Sequence, residues 1–126
     1  MQSLVPDRKQ AKPSDHPEWF QGHVLMHHLW QGDVDVLGVF FDNGARTRPH
    51  IHSTYQLLYV VSGRCVVATR TERKELGAGD FIMIPAGEWH WHGAAPGQDM
   101  CHLSIRAPGP TDWTVPVYEW ENIADG

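Results

Sequence analysis

Residues 44–63 read GARTRPHIHSTYQLLYVVSG, and the whole chain is organised around them. The stretch opens on Gly44-Ala45, presents His50-Ile51-His52, and reaches Gln56 four residues later. An apolar run rich in β-branched residues then leads to Ser62-Gly63. Side chains alternate faces along a strand. His50, His52 and Gln56 share a parity, so an unbroken extended chain places all three on one face. Two imidazoles and an amide oxygen on one side can hold a divalent metal. An H-x-H alone is equally compatible with two exposed histidines. A second stretch, residues 79–92 (GDFIMIPAGEWHWH), can supply a fourth ligand and strengthens the metal reading.

At 126 residues the chain has the length of one domain with one core. A net charge of −5 and the lack of a basic block argue against a nucleic-acid partner. No apolar run approaches membrane-spanning length, so no membrane partner is expected. The first residues, MQSLVPDRKQAKPSD, hold no apolar signal core, and a cytoplasmic protein is expected. Cys65 and Cys101 read as reduced, buried thiols.

Residues 1–18 are polar and proline-containing and read as an arm, either disordered or laid across a neighbour. Trp19-Phe20 would anchor the body, a single barrel over 19–126 with a C-terminal arm. Strands are expected over 23–30, 34–41, 55–61, 64–71, 81–84, 89–92 and 100–106. Asp42-Asn43-Gly44 and Ser62-Gly63 read as turns between them. Beyond Pro108 the chain reads as loop, packed down by Trp113, Tyr118 and Trp120. No long helical period is present. Roughly eight short strands with turn signals about every ten residues argue an all-β, closed or double-sheet architecture.

The two stretches resemble a known family. Gly44-x5-His50-x-His52-x3-Gln56-x6-Gly63 is similar to the first cupin motif, with Gln in place of the usual Glu. Gly79-x5-Pro85-x-Gly87-x2-His90 is similar to the second, with Ala94 where an Asn usually closes it. The resemblance implies a cupin jelly-roll (double-stranded β-helix) barrel with one metal in its mouth. It implies His50, His52, Gln56 and His90 as ligands. GARTRPHIH, WHWHGAAP and MCHLSI further resemble small bacterial cupins that act as manganese-dependent hydroxynitrile lyases. That group also carries Gln as a ligand and has two cavity histidines at the places of His92 and His102. The N-terminal segment, His27-His28 and Arg106 depart from the group, which leaves the substrate more open than the fold.

An amide oxygen is a neutral ligand. Three histidines and Gln56 would leave the full charge on a divalent ion, favouring Lewis-acid chemistry over redox cycling. The alternative for Gln56 is a cavity hydrogen-bonder beside a three-histidine site completed by water. One metal per chain is expected, Mn by the resemblance, with Fe, Zn, Ni or Co also suited to such donors.

His92 shares parity with His90, and His102 with Ser104 and Arg106. His92 and His102 are candidate bases, since imidazole titrates near working pH. Each also suits a satisfied polar group in a wet barrel. His16, His23, His27 and His28 read as structural or exposed. Val39, Phe41, Leu58, Val60, Met83 and Trp91 are candidate cavity walls.

The first functional expectation is a metal-dependent lyase acting on a small-molecule hydroxy or carbonyl substrate. The resemblance makes this cyanohydrin cleavage to aldehyde and cyanide, and the reverse addition. The alternatives are an Fe(II) dioxygenase cleaving a diketone or phenol, and a non-catalytic ligand-binding cupin. Sheet edges and the polar arm suggest a homo-oligomer, dimer or tetramer.

Overall fold

The computed structural model describes residues 1–117. Tyr118 and Trp120 lie outside the described residues. Ten strands run in order. They are β1 (Lys12–Pro13), β2 (Phe20–Trp30), β3 (Asp35–Thr47), β4 (Ile51–His52), β5 (Gln56–Thr69), β6 (Arg73–Gly77), β7 (Phe81–Ile84), β8 (His90–Ala94), β9 (Met100–Arg106) and β10 (Thr111–Asp112). The only helical segments among the described residues are two 3-10 turns, Arg8–Gln10 and Pro17–Trp19. No helix there is long and apolar enough to cross a membrane.

Strand pairing closes the barrel. β3 pairs antiparallel with both β8 and β9, and β5 pairs antiparallel with the same two. The four strands therefore form a ring with no free edge, as the all-β expectation required. Outside it, β2 extends β3, β1 extends β2, and β6 and β7 extend β5.

Two expected turns are not turns. β3 runs straight through Asp42-Asn43-Gly44, and β5 through Ser62-Gly63. The backbone instead takes positive φ at Asn43 (48°), Gly44 (76°) and Gly63 (79°). Such residues reverse a chain in a hairpin but bend it at a bulge. Here each strand bends and passes from one partner to the other. Before its corner β3 lies beside β9, ending at Phe41↔Met100, and after it beside β8 at Arg46↔Gly93. β5 does the same, from Gly63↔Met100 to Cys65↔Ala94. Asp99 ties the first corner, its Oδ1 accepting from the Asn43 N–H at 2.8 Å.

The core fills the ring with Val39, Phe41, Leu58, Val60, Val67, Ile84 and Met100. Strand alternation sends Val66, Ala68, Trp89, Trp91 and Ala95 into a second cluster. Cys65 and Cys101 are free and buried, as expected, and burial pushes their thiols up to about 12 and about 11. The N-terminal segment folds back on its own chain. Lys12 and Pro13 pair with Met26 and Leu25 of β2, and the Asp7 N–H donates to His27 Nδ1. Asp42 receives Arg8 and His23 and is held down to about 2, mainly by the Arg8 hydrogen bond.

β3 and β8 approach closely at Gly93. A Cβ there would lie 2.3 Å from Arg46 Cβ and 2.5 Å from the Ala45 carbonyl oxygen. Gly93→Ala is expected to destabilise the fold by about 3 kcal/mol. Urea unfolding measures this, and an unchanged midpoint would contradict the close approach.

Candidate metal centre

The two motif stretches meet at a backbone bridge. His50 N–H donates to the His90 carbonyl (2.9 Å) and His90 N–H donates to the His50 carbonyl (3.1 Å). Residues that exchange both bonds face each other, with their side chains on one side. The His50 and His90 ring centroids are 4.4 Å apart. β4 adds His52, whose ring lies 4.7 Å from that of His50. One ring nitrogen from each of His50, His52 and His90 lies within 4.8 Å of the others. All three side chains are buried.

The second ring nitrogens are already engaged. His50 Nδ1 donates to the Arg48 carbonyl at 2.7 Å, and His90 Nδ1 to the Glu88 carbonyl at 2.9 Å. A carbonyl only accepts, so each Nδ1 carries the proton and each Nε2 presents a lone pair. His52 Nδ1 contacts Thr111 Oγ1 at 2.8 Å, while its Nε2 is buried with no partner. Gln56 Nε2 donates to Ser104 Oγ at 2.9 Å, which turns Oε1 towards His90 Nε2 at 3.1 Å. Two lone pairs then face each other, an arrangement that a cation reconciles. An orphaned imidazole nitrogen and a lone-pair-presenting donor set fit a divalent metal. His50, His52 and His90 can hold one, and anchoring of the distal nitrogens is what ligating histidines require.

Burial suppresses charge on all of them. It lowers the imidazole of His52 to about 3 and that of His90 to about 4, and drives His50 well below its ordinary range. Neutral imidazole is the metal-binding form.

His92 and His102 lie against this cluster. His92 follows His90 by two on β8, with ring centroids 5.7 Å apart and nearly parallel. His92 Nδ1 is 2.9 Å from His102 Nε2, so one nitrogen donates and the other accepts. His102 Nδ1 is buried with no partner. Burial lowers His102 to about 4 and drives His92 well down, His102 adding to the effect on His92. The His92 N–H donates to Thr47 Oγ1 at 3.2 Å, and Phe41 packs against both rings.

A cavity of about 850 Å³ opens over these groups. His50, His52, Gln56, His92, His102, Ser104 and Arg106 all line it, while His90 is fully buried against Gln56 and is not on the lining. Of the expected apolar walls, Val39 and Phe41 line it. Leu58 and Val60 sit in the core instead, Met83 is exposed, and Trp91 belongs to the outer cluster under Arg46. The alternation that sends His90 and His92 inward sends Trp91 outward. His27 and His28, expected to be structural or exposed, reach the rim of the cavity.

Two contributors carried no site signal in the sequence. Thr111 reaches His52 because β10 pairs with β4, and Trp113 stacks on His50 at 4.1 Å. The stack continues through Trp19 to exposed His16, so the expected anchors Trp19 and Trp113 pack on the site itself.

The family profile described as Cupin domain matches residues 39–105, and the chain belongs to the cupin family. It is 39% identical over 103 residues to an (R)-mandelonitrile lyase from Granulicella tundricola, covering 77% of this chain and 78% of that protein. The fold is similar to the crystal structure of a cupin-like protein from Thermotoga maritima, with a TM-score of 0.80, 32% identity and coverage of 91% and 93% of the two chains. It also resembles the polyketide cyclase RemF from Streptomyces resistomycificus, with a TM-score of 0.77, 22% identity and coverage of 97% and 94%.

The pH dependence of stability follows from the buried imidazoles. His90 and His102 sit near 4 in the fold against an ordinary 6.5. Between those values the unfolded chain binds protons that the fold refuses, so stability falls as pH falls. The expected slope reaches about 1.4 kcal/mol per pH unit for each such histidine. Urea midpoints of metal-stripped protein from about pH 7 down to about pH 4.5 measure this. A flat profile would contradict neutral, buried imidazoles.

Proposed function

We propose that the protein is a metal-dependent lyase that cleaves the C–C bond beside the hydroxyl of a small hydroxy compound. The particular reaction is cyanohydrin cleavage to an aldehyde or ketone plus cyanide, and its reverse. The observation that carries the reading is the His92–His102 pair, 2.9 Å apart, in the cavity that His50 and His52 of the three-histidine cluster also line. A passive pocket has no need of a second pair of neutral imidazoles beside a metal-ligand set. The mandelonitrile lyase relative supports the same chemistry.

His50, His52 and His90, with Gln56 Oε1 as fourth donor, would hold one divalent ion, taken as Mn from the resemblance to manganese-dependent cupin lyases. When bound, such an ion supplies a Lewis acid that polarises a substrate oxygen. The neutral amide of Gln56 leaves the site without a carboxylate charge, which favours this role over redox cycling. Ser104 holds Gln56 in that orientation.

The base is the histidine pair. With the proton of the shared hydrogen bond on His92 Nδ1, donated to His102 Nε2, the Nε2 of His92 holds a lone pair. His92 Nε2 takes the substrate hydroxyl proton, and the charge so formed is stabilised through Nδ1 by His102. The electron pair of the O–H bond becomes the new C=O bond. The C–C bond breaks, and cyanide leaves with its electron pair and collects the proton from His92. Burial keeps both rings neutral beforehand, so the pair is ready to accept. Phe41 and Val39 exclude water on one side of the pair.

The test is benzaldehyde release from mandelonitrile by Mn-loaded protein. Wild type is expected to cleave it, and His92→Ala and His102→Ala are each expected to lose about 10²- to 10⁴-fold in rate. Wild type without cleavage, or variants with undiminished rates, would sink the assignment. Oxygen uptake by the Fe-loaded protein and none by the Mn-loaded form would favour the dioxygenase instead.

A further inference from the structure

Arg106 brings into the cavity a positive charge that the proton transfer to His92 does not use, beyond the stabilisation any nearby cation gives to leaving cyanide. It ends β9 in line with His102 and Ser104, and all three line the cavity. Its register partner on β5 is Gln56, so the two side chains leave the sheet on the same face as cross-strand neighbours. Its charge is felt at His50 and His52, where it disfavours protonation.

The guanidinium is poorly matched by the protein. Nη1 donates to the Gly109 carbonyl at 3.1 Å, which uses one of five N–H donors. Among the described residues no carboxylate lies within 4.0 Å of it. Asp35, its register partner on β3, attracts it only at longer range and is absent from the cavity wall. Among the described residues the one carboxylate on that wall is Asp15, carried by the N-terminal segment, where Lys12 also lies. A half-buried, always-charged fork without an ion-pair partner is costly unless a ligand supplies the anion. Neutral metal donors leave the interior short of negative charge as well.

We infer that Arg106 is a specificity-determining residue that grips a carboxylate. The ligand class is then a small 2-hydroxy or 2-oxo acid, which competes with the cyanohydrin for the cavity, with its carboxylate on Arg106 and its neighbouring oxygen towards the histidine cluster. Gln56 and Arg106 are cross-strand neighbours, about 5 Å apart at the backbone, so a small ligand in the cavity meets both side chains. The inference rests on the proposed lyase only in taking the same cavity as the substrate site.

Calorimetric titration with mandelate and its neutral isostere mandelamide tests it, on metal-free and Mn-loaded protein. A carboxylate can also prefer the metal, so the decisive comparison is between wild type and variants. Arg106→Gln is expected to weaken mandelate binding about tenfold or more and to leave mandelamide unchanged. Arg106→Leu should do the same, and it carries the comparison if the Gln variant melts early. Wild-type affinity for mandelate in a folded Arg106 variant would overturn the inference, as would equal losses for both ligands. Mandelate binding that depends on Arg106, without mandelonitrile cleavage, would sink the lyase and keep the acid site. Cleavage with no dependence of carboxylate binding on Arg106 would do the reverse.

Discussion

Everything at the site depends on the reciprocal backbone bonds between His50 and His90. These residues are far apart in sequence, yet each donates its N–H to the other's carbonyl. That bridge puts two imidazoles on one face at a fixed spacing. The carbonyls of Arg48 and Glu88, two residues before each histidine, then anchor the outer ring nitrogens. With both ends of each ring determined, the inner lone pairs have one direction to point. The three-histidine cluster is therefore assembled from main-chain geometry, and rotamer freedom contributes little uncertainty.

The barrel exists to hold that bridge. Its ring closes because β3 and β5 each serve two partners, and they do so by bending at Asn43-Gly44 and Gly63. The bends bring β8, with His92, and β9, with His102 and Ser104, to the same cavity. Burial follows from closure. It keeps five imidazoles neutral at working pH, which suits both metal ligation and proton acceptance.

Much of the site was legible because alternation is local. The parity of His90 and His92, and of His102, Ser104 and Arg106, survives in the structure, since each set lies on one uninterrupted strand. His50, His52 and Gln56 instead converge across the bend at 53–55 that separates β4 from β5. The two corners were not legible as corners. A glycine at positive φ serves a hairpin turn and a strand bend alike, and only the distant partner strands distinguish them. Met83 and Trp91 were misplaced as walls because an apolar residue near a site need not face it. Thr111 and Trp113 reach the histidines through a two-residue pairing of β10 with β4, a long-range contact without a local pattern.

Metal content measures the central claim most directly. Wild type and His52→Ala would be stripped, reconstituted with Mn, dialysed and analysed for metal and protein. His52 is the choice because its Nε2 is buried without a partner, so its loss removes a ligand together with one hydrogen bond, that of Nδ1 to Thr111 Oγ1. The account predicts about one ion per wild-type chain and a large loss of retained metal in His52→Ala. No metal in reconstituted wild type, or equal retention by the variant, would contradict it, and the cluster would then be a polar pocket.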